Sequence, residues 1–453
     1  MYTRRAILWF RQDLRLHDNE ALSEALDSAD EIIPVYVFDE RVFRGKTHFF
    51  GFPKTGKFRA RFIIESIHDL RESLRARGSD LIVRVGKPEE VIFELAKEVR
   101  SSWVFCNRER TREEERVQDA LERNLWTIGQ EMRYDRGKLL YYTSDLPFPI
   151  QHTPDTFAQF RKEVERYVPV RQPLPTPEKL PPITVRLEAG DIPNMHDLRQ
   201  ETFEPDPRAV IAFRGGETEA LQRLHHYVWE TGLAAQDKEG RESLIGSDYS
   251  TKFSPWLAQG CLSPKQIFHE LKRYELEIGP KDSTYWIFYE LMRRDFFRFM
   301  AKKHGNRIFL RGGLNGETDS EWANDWESLQ SWIEGATGVP FIDANMRELH
   351  HTGFLSNRGR QNVACFLVHD LKINWQMGAE YFESLLIDYD VASNWGNWNS
   401  IAGVGSDSRD NRCFNILSQA YRYDPKGDYV KRWLPELGDL PPGQIHEPHI
   451  TYH

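Results

Sequence analysis

Between residues 341 and 405 the chain gathers polar side chains that a plain hydrophobic core would not choose. Asn357, Arg358, Arg360, Gln361 and Asn362 crowd the turn before an apolar helix expected at 363–371. Asp388 and Asp390 follow a second helix, expected at 379–387, and Asn394, Trp395, Asn397 and Trp398 come next. Buried polar groups need partners. Amides, guanidiniums and carboxylates set between apolar helices therefore suit a pocket for a large polar ligand with a flat apolar part. Helix caps and surface ion pairs would use the same residue types, and spacing alone leaves both readings open.

Other stretches carry chemistry of their own. The string YSTKFSPW (249–256) precedes a helix. Ser250, Thr251 and Ser254 are small donors and Lys252 is a cation, with Phe253 among them. Hydroxyls and a lysine at a helix start suit a pyrophosphate; the alternative is an ordinary N-cap with a loop lysine. Within 285–305, Glu290, Arg294, Arg298 and Lys302 stand four apart, on one helix face. Such a row is commonly a solvated ion-pair stripe. With Arg293, Lys303 and Arg307 it could equally edge a phosphate-binding groove. Asp388 and Asp390 read as helix-end solvation, or as a magnesium pair that no phosphate loop supports. Trp322, Trp375 and Trp398 share no period and read as core aromatics. Glu109 lies in the charge run CNRERTREEE, where carboxylates are ordinarily solvated.

Several site classes are excluded. GFPKTGK (51–57) nearly spells a phosphate-binding loop, but Phe58 stands where a magnesium-holding hydroxyl belongs and Pro53 removes a backbone donor. No GxGxxG follows the first strand. His225–His226 and His350–His351 are adjacent pairs that point two ways on a helix, so no metal site is expected.

These residues need a scaffold, and 453 residues allow two or three domains. Residues 5–11, 31–39, 81–85 and 102–106 read as strands, alternating with helices at 20–28, 57–77, 88–99 and 112–124. That alternation predicts a doubly wound, Rossmann-like parallel sheet over 1–135. Prolines recur through 136–208 and block helix interiors and central strands. They predict a linker with one short helix near 156–166. From 209 to 453 strand signals nearly vanish, which predicts an all-α domain. The expected fold class is α/β plus all-α. A net charge of −9 excludes a wholly basic nucleic-acid coat but not a local basic groove. Four scattered cysteines suit a reducing compartment. No apolar run is long enough to span a bilayer, and residues 1–10 lack a signal-peptide pattern. A cytoplasmic monomer is expected.

The strings DANMREL, TGFLSNRGRQNVACF, GAEYFESLLIDYD, SNWGNW and YDPKGDYVKRWLPEL resemble the photolyase/cryptochrome family, most of all its DASH-type cryptochromes. The resemblance runs from DLRLHDN near the start to the end of the chain. It implies an N-terminal photolyase domain and a helical domain that holds FAD in a U-shape. By resemblance, Ser250, Thr251, Lys252, Phe253 and Ser254 face the FAD phosphates. Asn357, Arg360, Asp388 and Asp390 surround the flavin ring, with Asp388 paired to Arg360. Asn394 faces the flavin's reactive nitrogen, where a neutral amide can accept from a protonated nitrogen. Glu290 and Gln361 belong to the substrate pocket, and Arg294 lies near the flavin. Trp398, Trp375 and Trp322 match the proximal, middle and surface-facing members of an electron relay. Glu109 matches an acidic residue that holds a methenyltetrahydrofolate antenna.

The chain departs from the family at three places. Asp237 stands where a tyrosine is frequent ahead of the phosphate segment, and would repel phosphate. Arg293 replaces a pocket tryptophan, and Ser400 replaces a second pocket aromatic. Stacking a base on an aromatic is worth about 1–3 kcal/mol, so losing both walls lowers dimer affinity by about two orders of magnitude or more. The resemblance therefore implies a blue-light-responsive FAD photoreceptor with weak or lost cyclobutane-dimer repair. Its partner would be single-stranded DNA, with RNA as the alternative. A light-driven DNA photolyase and a light-independent flavin oxidoreductase are the competing readings, separated by whether turnover needs light. Few residues follow RWLPEL, which lowers the expectation of a tail-mediated partner.

Overall fold

The computed structural model describes residues 3–235, 244–316, 321–407 and 415–448. Apolar runs bounded by turn residues build β1 (Arg5–Phe10), β2 (Glu31–Asp39), β3 (Ile82–Gly86) and β4 (Trp103–Asn107). A fifth strand, β5 (Glu131–Asp135), completes one sheet of order β3-β2-β1-β4-β5 with every neighbour parallel. The chain steps outward from β1 to β3, then returns to add β4 and β5 on the other side, which makes the sheet doubly wound. β1 and β2 are buried almost throughout, so they read as continuous apolar runs rather than alternating ones. The sequence reading missed β5. It is an edge strand whose exposed positions carry Glu131 and Arg133, and charged edges lack the apolar signal of a central strand.

Helices Glu20–Ser28, Lys57–Arg75, Pro88–Val99 and Arg112–Trp126 cover the sheet. The first starts at Asn19, whose side chain accepts from the Leu22 N–H at 3.1 Å. One sheet face shares a single continuous core with the helical part, running from Phe10 to Trp398. The other face packs with Pro88–Val99 and Arg112–Trp126 around Ile7, Ile33, Ile92 and Leu121. The proline-rich segment contains the expected short helix, Phe157–Tyr167, capped by Thr156. Elsewhere it is strapped to the first domain, with the Leu174 N–H on Asp18 Oδ1 at 3.0 Å and the Val83 N–H on Ala189 O at 2.7 Å.

The third part is helical, as expected. Its long helix Asp282–His304 and the helices Pro340–Thr352, Asn357–Cys365, Trp375–Leu385 and Val391–Ile401 hold most of the residues singled out above. Two features tie it to the rest of the chain. The near-phosphate loop at 51–57 is a wedge: Gly56 caps Lys57–Arg75, and a Cβ there would collide with the Ser384 carbonyl. Arg59, one turn on, donates to the Glu383 and Leu386 carbonyls at 2.7 and 2.8 Å. No described helix is long and apolar enough to cross a membrane.

The second feature is the charged row of the long helix, which is not a solvated stripe. Arg294 and Arg298 are largely buried, with side chains 12% and 14% exposed. Arg294 donates to the Lys138 carbonyl at 2.9 Å and the Leu257 carbonyl at 3.2 Å. Arg298 pairs with Asp390. Burial alone would raise the Asp390 pKa, but Arg298 foremost, then Arg294, hold it well below the usual carboxylate range. Its stabilising contribution is therefore present above an unfolded carboxylate's pKa and is lost as pH falls through the folded one. Truncating Arg298 to Ala leaves a buried charge uncompensated, and unfolding in urea is expected to show a loss of about 3–5 kcal/mol at neutral pH. The double variant Arg298→Met with Asp390→Asn is expected to recover much of that loss.

Candidate functional site

A cavity of about 420 Å³ opens inside the helical part. Its walls come from the loop 250–254, from Glu290 on the long helix, and from the first turns of Asn357–Cys365 and Val391–Ile401. The polar residues at 357–362 lie in a helix rather than in a turn before one. Ser356 starts that helix by accepting from the Gly359 N–H at 3.0 Å. Helical spacing then turns Asn357, Arg360, Gln361 and Ala364 onto the cavity together. The apolar segment that follows is a π-turn, Phe366–Asp370, and the next helix is Trp375–Leu385, about a turn earlier than its apolar pattern suggested.

Arg360 and Asp388 pair at 2.7 Å. The guanidinium Nε is held by the Leu355 carbonyl at 2.9 Å, which aims the pair. Asp388 Oδ2 is thus occupied, while its buried Oδ1 has no hydrogen-bond partner among the described residues. Asp388 itself is among the residues that line the cavity. Asp390 lines the same space and caps the next helix, accepting from the Ser393 N–H at 2.9 Å. Its other oxygen belongs to Arg298, so it shapes the cavity more than it offers a free acceptor. Asn394 donates from Nδ2 to the Ala379 carbonyl at 3.0 Å. Its Oδ1 is left as the group available to a donor in the cavity.

At the far wall Ser250, Thr251, Lys252, Phe253 and Ser254 lead into the short helix Ser254–Gln259. A buried arginine that sequence reasoning overlooked, Arg223, shapes this loop. It donates to the carbonyls of Ser247, Ser250 and Thr251 and pairs with Asp248 at 2.8 Å. Lys252 adopts a left-handed backbone, φ 59°. Its ammonium lies over the Tyr249 ring, 3.0 Å from the centroid, and reaches Ser250 Oγ at 3.0 Å. Burial, and then Arg223, push its pKa down to about 6. Hydroxyls and one lysine are thus gathered on this part of the cavity wall. Asp237 lies outside the described residues.

Glu290 and Gln361 both line the cavity. Glu290 is an exposed residue on the cavity wall, and the protein packed around its carboxyl raises its pKa. Trp398 is on the wall, edge-on to Phe382 at 5.1 Å. A Cβ at Gly378 would strike its ring, so glycine there makes room for the indole. Trp375 is fully buried one turn earlier on that helix and donates from Nε1 to the Arg311 carbonyl at 3.0 Å. Trp322 is also buried, at 8% exposure, which corrects its expected surface-facing place. The Arg311 guanidinium stands 5.9 Å from its ring centroid. Arg294 stands behind the wall, occupied with backbone carbonyls. Arg293 and Ser400 line a neighbouring cavity of about 200 Å³ with Phe297 and Gly396. The reason is helical: two residues after Trp398, the chain has turned about 200°, so Ser400 faces the opposite side.

Glu109 corrects another expectation. It is 4% exposed rather than solvated, and it pairs with the equally buried Lys138 in a cleft between the two domains. Burial would raise its pKa, but Lys138, with Arg11 and Arg298, lowers it overall. Asp390 lines this cleft too, so the Arg298–Asp390 pair forms part of both cavities. No His/Cys/Asp/Glu cluster suited to a metal occurs among the described residues.

A doubly wound sheet docked on a helical domain, with an anion loop at one end of a cavity and an Arg–Asp pair and an amide at the other, defines a photolyase-type flavoprotein. Comparison with known proteins agrees. Residues 6–178 match the DNA photolyase family model, and 286–453 match the FAD binding domain of DNA photolyase. A cryptochrome DASH of Gloeobacter violaceus is 52% identical, over 99% of this chain and 89% of that protein. The crystal structure of a Synechocystis cryptochrome superposes with a TM-score of 0.95 at 47% identity, covering 99% of this chain and 92% of the other. An archaeal photolyase from Sulfolobus tokodaii, solved with two FAD molecules, gives a TM-score of 0.80 at 29% identity, covering 99% and 94%. The chain belongs to the photolyase/cryptochrome family, on its cryptochrome DASH branch, and its cofactor is FAD.

The anion end has a measurable signature. Lys252 must be charged to hold phosphates, yet in the free protein its pKa is pushed down to about 6. Below that pH the charge is already present. Above it, each binding event takes up a proton, so FAD affinity is expected to fall with rising pH, by about tenfold per unit at most. Lys252→Met is expected to weaken binding near pH 6 and to flatten this dependence, as read by titrating the flavin-free protein with FAD.

Proposed function

We propose that the protein is a blue-light photoreceptor that binds single-stranded DNA, or RNA, and repairs cyclobutane dimers slowly or not at all. The observation that supports this reading best is Trp398 on the wall of the flavin cavity, next to an Asn394 whose Oδ1 is free to accept. Bound FAD supplies light absorption and one-electron chemistry. Ser250, Thr251, Lys252 and Ser254 would hold its phosphates, and Asn357, Arg360, Asp388 and Asp390 would enclose its ring. Trp398 would be the first electron donor, with Trp375 and then Trp322 behind it. Asn394 would offer its Oδ1 to a donor on the ring.

We infer reduced repair from Arg293 and Ser400, which line the cavity beside the one that holds Glu290 and Gln361. A flipped dimer needs flat apolar walls to replace the stacking it loses, and a guanidinium and a hydroxyl supply less. Glu290, with its raised pKa, and Gln361 remain to meet polar base edges. Nucleic-acid binding persists, because phosphate contacts from groups such as Arg293 and Arg358 carry much of the affinity. The cleft at Glu109 would take the antenna, methenyltetrahydrofolate, which that carboxylate would orient. A cytoplasmic monomer is consistent with the buried thiols Cys106, Cys261 and Cys365.

Trp398→Phe is expected to retain FAD and to lose photoreduction almost entirely, because phenylalanine fills similar space but is much harder to oxidise; unchanged photoreduction would remove the relay. On a dimer-containing single strand with fully reduced flavin, Arg293→Trp with Ser400→Tyr is expected to repair faster than the unmodified protein. Equal rates in the two would make this protein a photolyase.

A further inference from the structure

We propose that Tyr389, with Glu383 as its proton acceptor, is a second terminal electron donor, reached from Trp375 through Trp395. The inference rests on the relay reading above. Trp375 has its closest ring partner in Trp395, with centroids 5.7 Å apart and planes at 78°. Trp395 sits beside Asn394 on the helix Val391–Ile401 and is 3% exposed. Its Nε1–H donates to Tyr389 Oη at 3.3 Å. The Tyr389 hydroxyl donates in turn to Glu383 Oε2 at 2.8 Å. Two indoles, a phenol and a buried carboxylate thus stand in one contact chain that branches away from Trp322.

The two ends of the relay differ electrically. At Trp322 the Arg311 guanidinium lies over the ring, and a fixed cation there opposes a positive indole. At Tyr389 the Arg59 guanidinium is also close, 4.9 Å from the ring centroid. There, however, no positive charge need remain, because the phenol can lose its proton along the bond to Glu383. Burial foremost, with Glu380, raises the Glu383 pKa overall, against the opposing pull of Lys54, the Tyr389 hydroxyl and Arg59, so the carboxylate is a stronger proton acceptor when ionised.

The step balances as follows. The photoexcited oxidised flavin, as oxidant, takes one electron from Trp398, and Trp375 and then Trp395 pass the vacancy on. Tyr389 gives up one electron, and its hydroxyl proton moves to Glu383. The products are a flavin one electron richer, a neutral tyrosyl radical and a protonated Glu383; every tryptophan is restored. Tyr389 also lines the cavity assigned to the flavin, so what holds back return of the electron is the need for the proton to come back from Glu383.

Flash excitation of the FAD-loaded protein, followed by transient absorption and electron paramagnetic resonance, tests this. A tyrosyl radical is expected to grow in as tryptophan radical decays, and its formation is expected to slow in D2O. Tyr389→Phe is expected to lose that radical and leave the tryptophan signal. Trp395→Phe, which removes one hydrogen bond to the phenol but keeps Tyr389 and its bond to Glu383, is expected to do the same, which covers the case in which Tyr389→Phe disturbs folding. Glu383→Gln is expected to keep Tyr389 in place and to suppress tyrosine oxidation. Tryptophan radical without tyrosyl radical, or a tyrosyl radical that survives both Tyr389→Phe and Trp395→Phe, overturns the assignment and leaves the relay standing. Absence of any tryptophan radical overturns both.

Discussion

Arg298 and Asp390 form an ion pair at the point where the two halves of the molecule meet. Two charges so far from water are costly unless geometry and further hydrogen bonds compensate. Here Asp390 also caps the helix Val391–Ile401, and Arg294 stands next in the row, tying the backbone of the linker to that of the helical part. The pair belongs to the walls of both the flavin cavity and the interdomain cleft. One carboxylate therefore sets the start of the helix that presents Asn394 and Trp398, and also the floor near the buried Glu109–Lys138 pair. Loss of that carboxylate would disturb both sites at once.

From Asp390 onward a single helix divides the chemistry between its faces. Asn394, Asn397, Trp398 and Ile401 look into the flavin cavity, while Ala392, Gly396 and Ser400 look into the neighbouring one. Gly396 lets Phe297 of the long helix approach closely, and Gly378 does the same for the Trp398 indole from the other side. Small residues on the flanking faces thus fix where the large ones point. The separation also bears on specificity. A substitution at Ser400 can reshape the outer cavity while leaving the groups that hold the flavin in place.

The sheet was legible because β1, β2 and β4 are buried and their apolar runs stop at turn residues. β5 was not, since an edge strand may carry charge on its exposed side. The helical part was legible as a class, but the polar helix start at Asn357 looked like a turn, because three of its first six residues, Asn357, Arg360 and Gln361, face the cavity rather than a core. Among the site residues, Arg360 pairs with Asp388, and Asn394 and Glu290 line the same cavity. The misplaced expectations share one cause: burial by a distant part of the chain. Glu109 and Arg298 lie in charge runs that look solvated, and only the docking of the two domains encloses them. Arg223 carried no local signal, and Trp395 stood out only as part of the stretch 393–398, since their contacts with a loop and a tyrosine exist only in the fold.

The absorption spectrum of the purified protein, taken before and after blue light in the presence of a thiol reductant, probes the central claim most directly. Flavin bands that lose their blue absorbance on illumination and regain it in the dark with oxygen are expected. A folded protein without flavin bands, or one whose flavin spectrum does not respond to light, would contradict it.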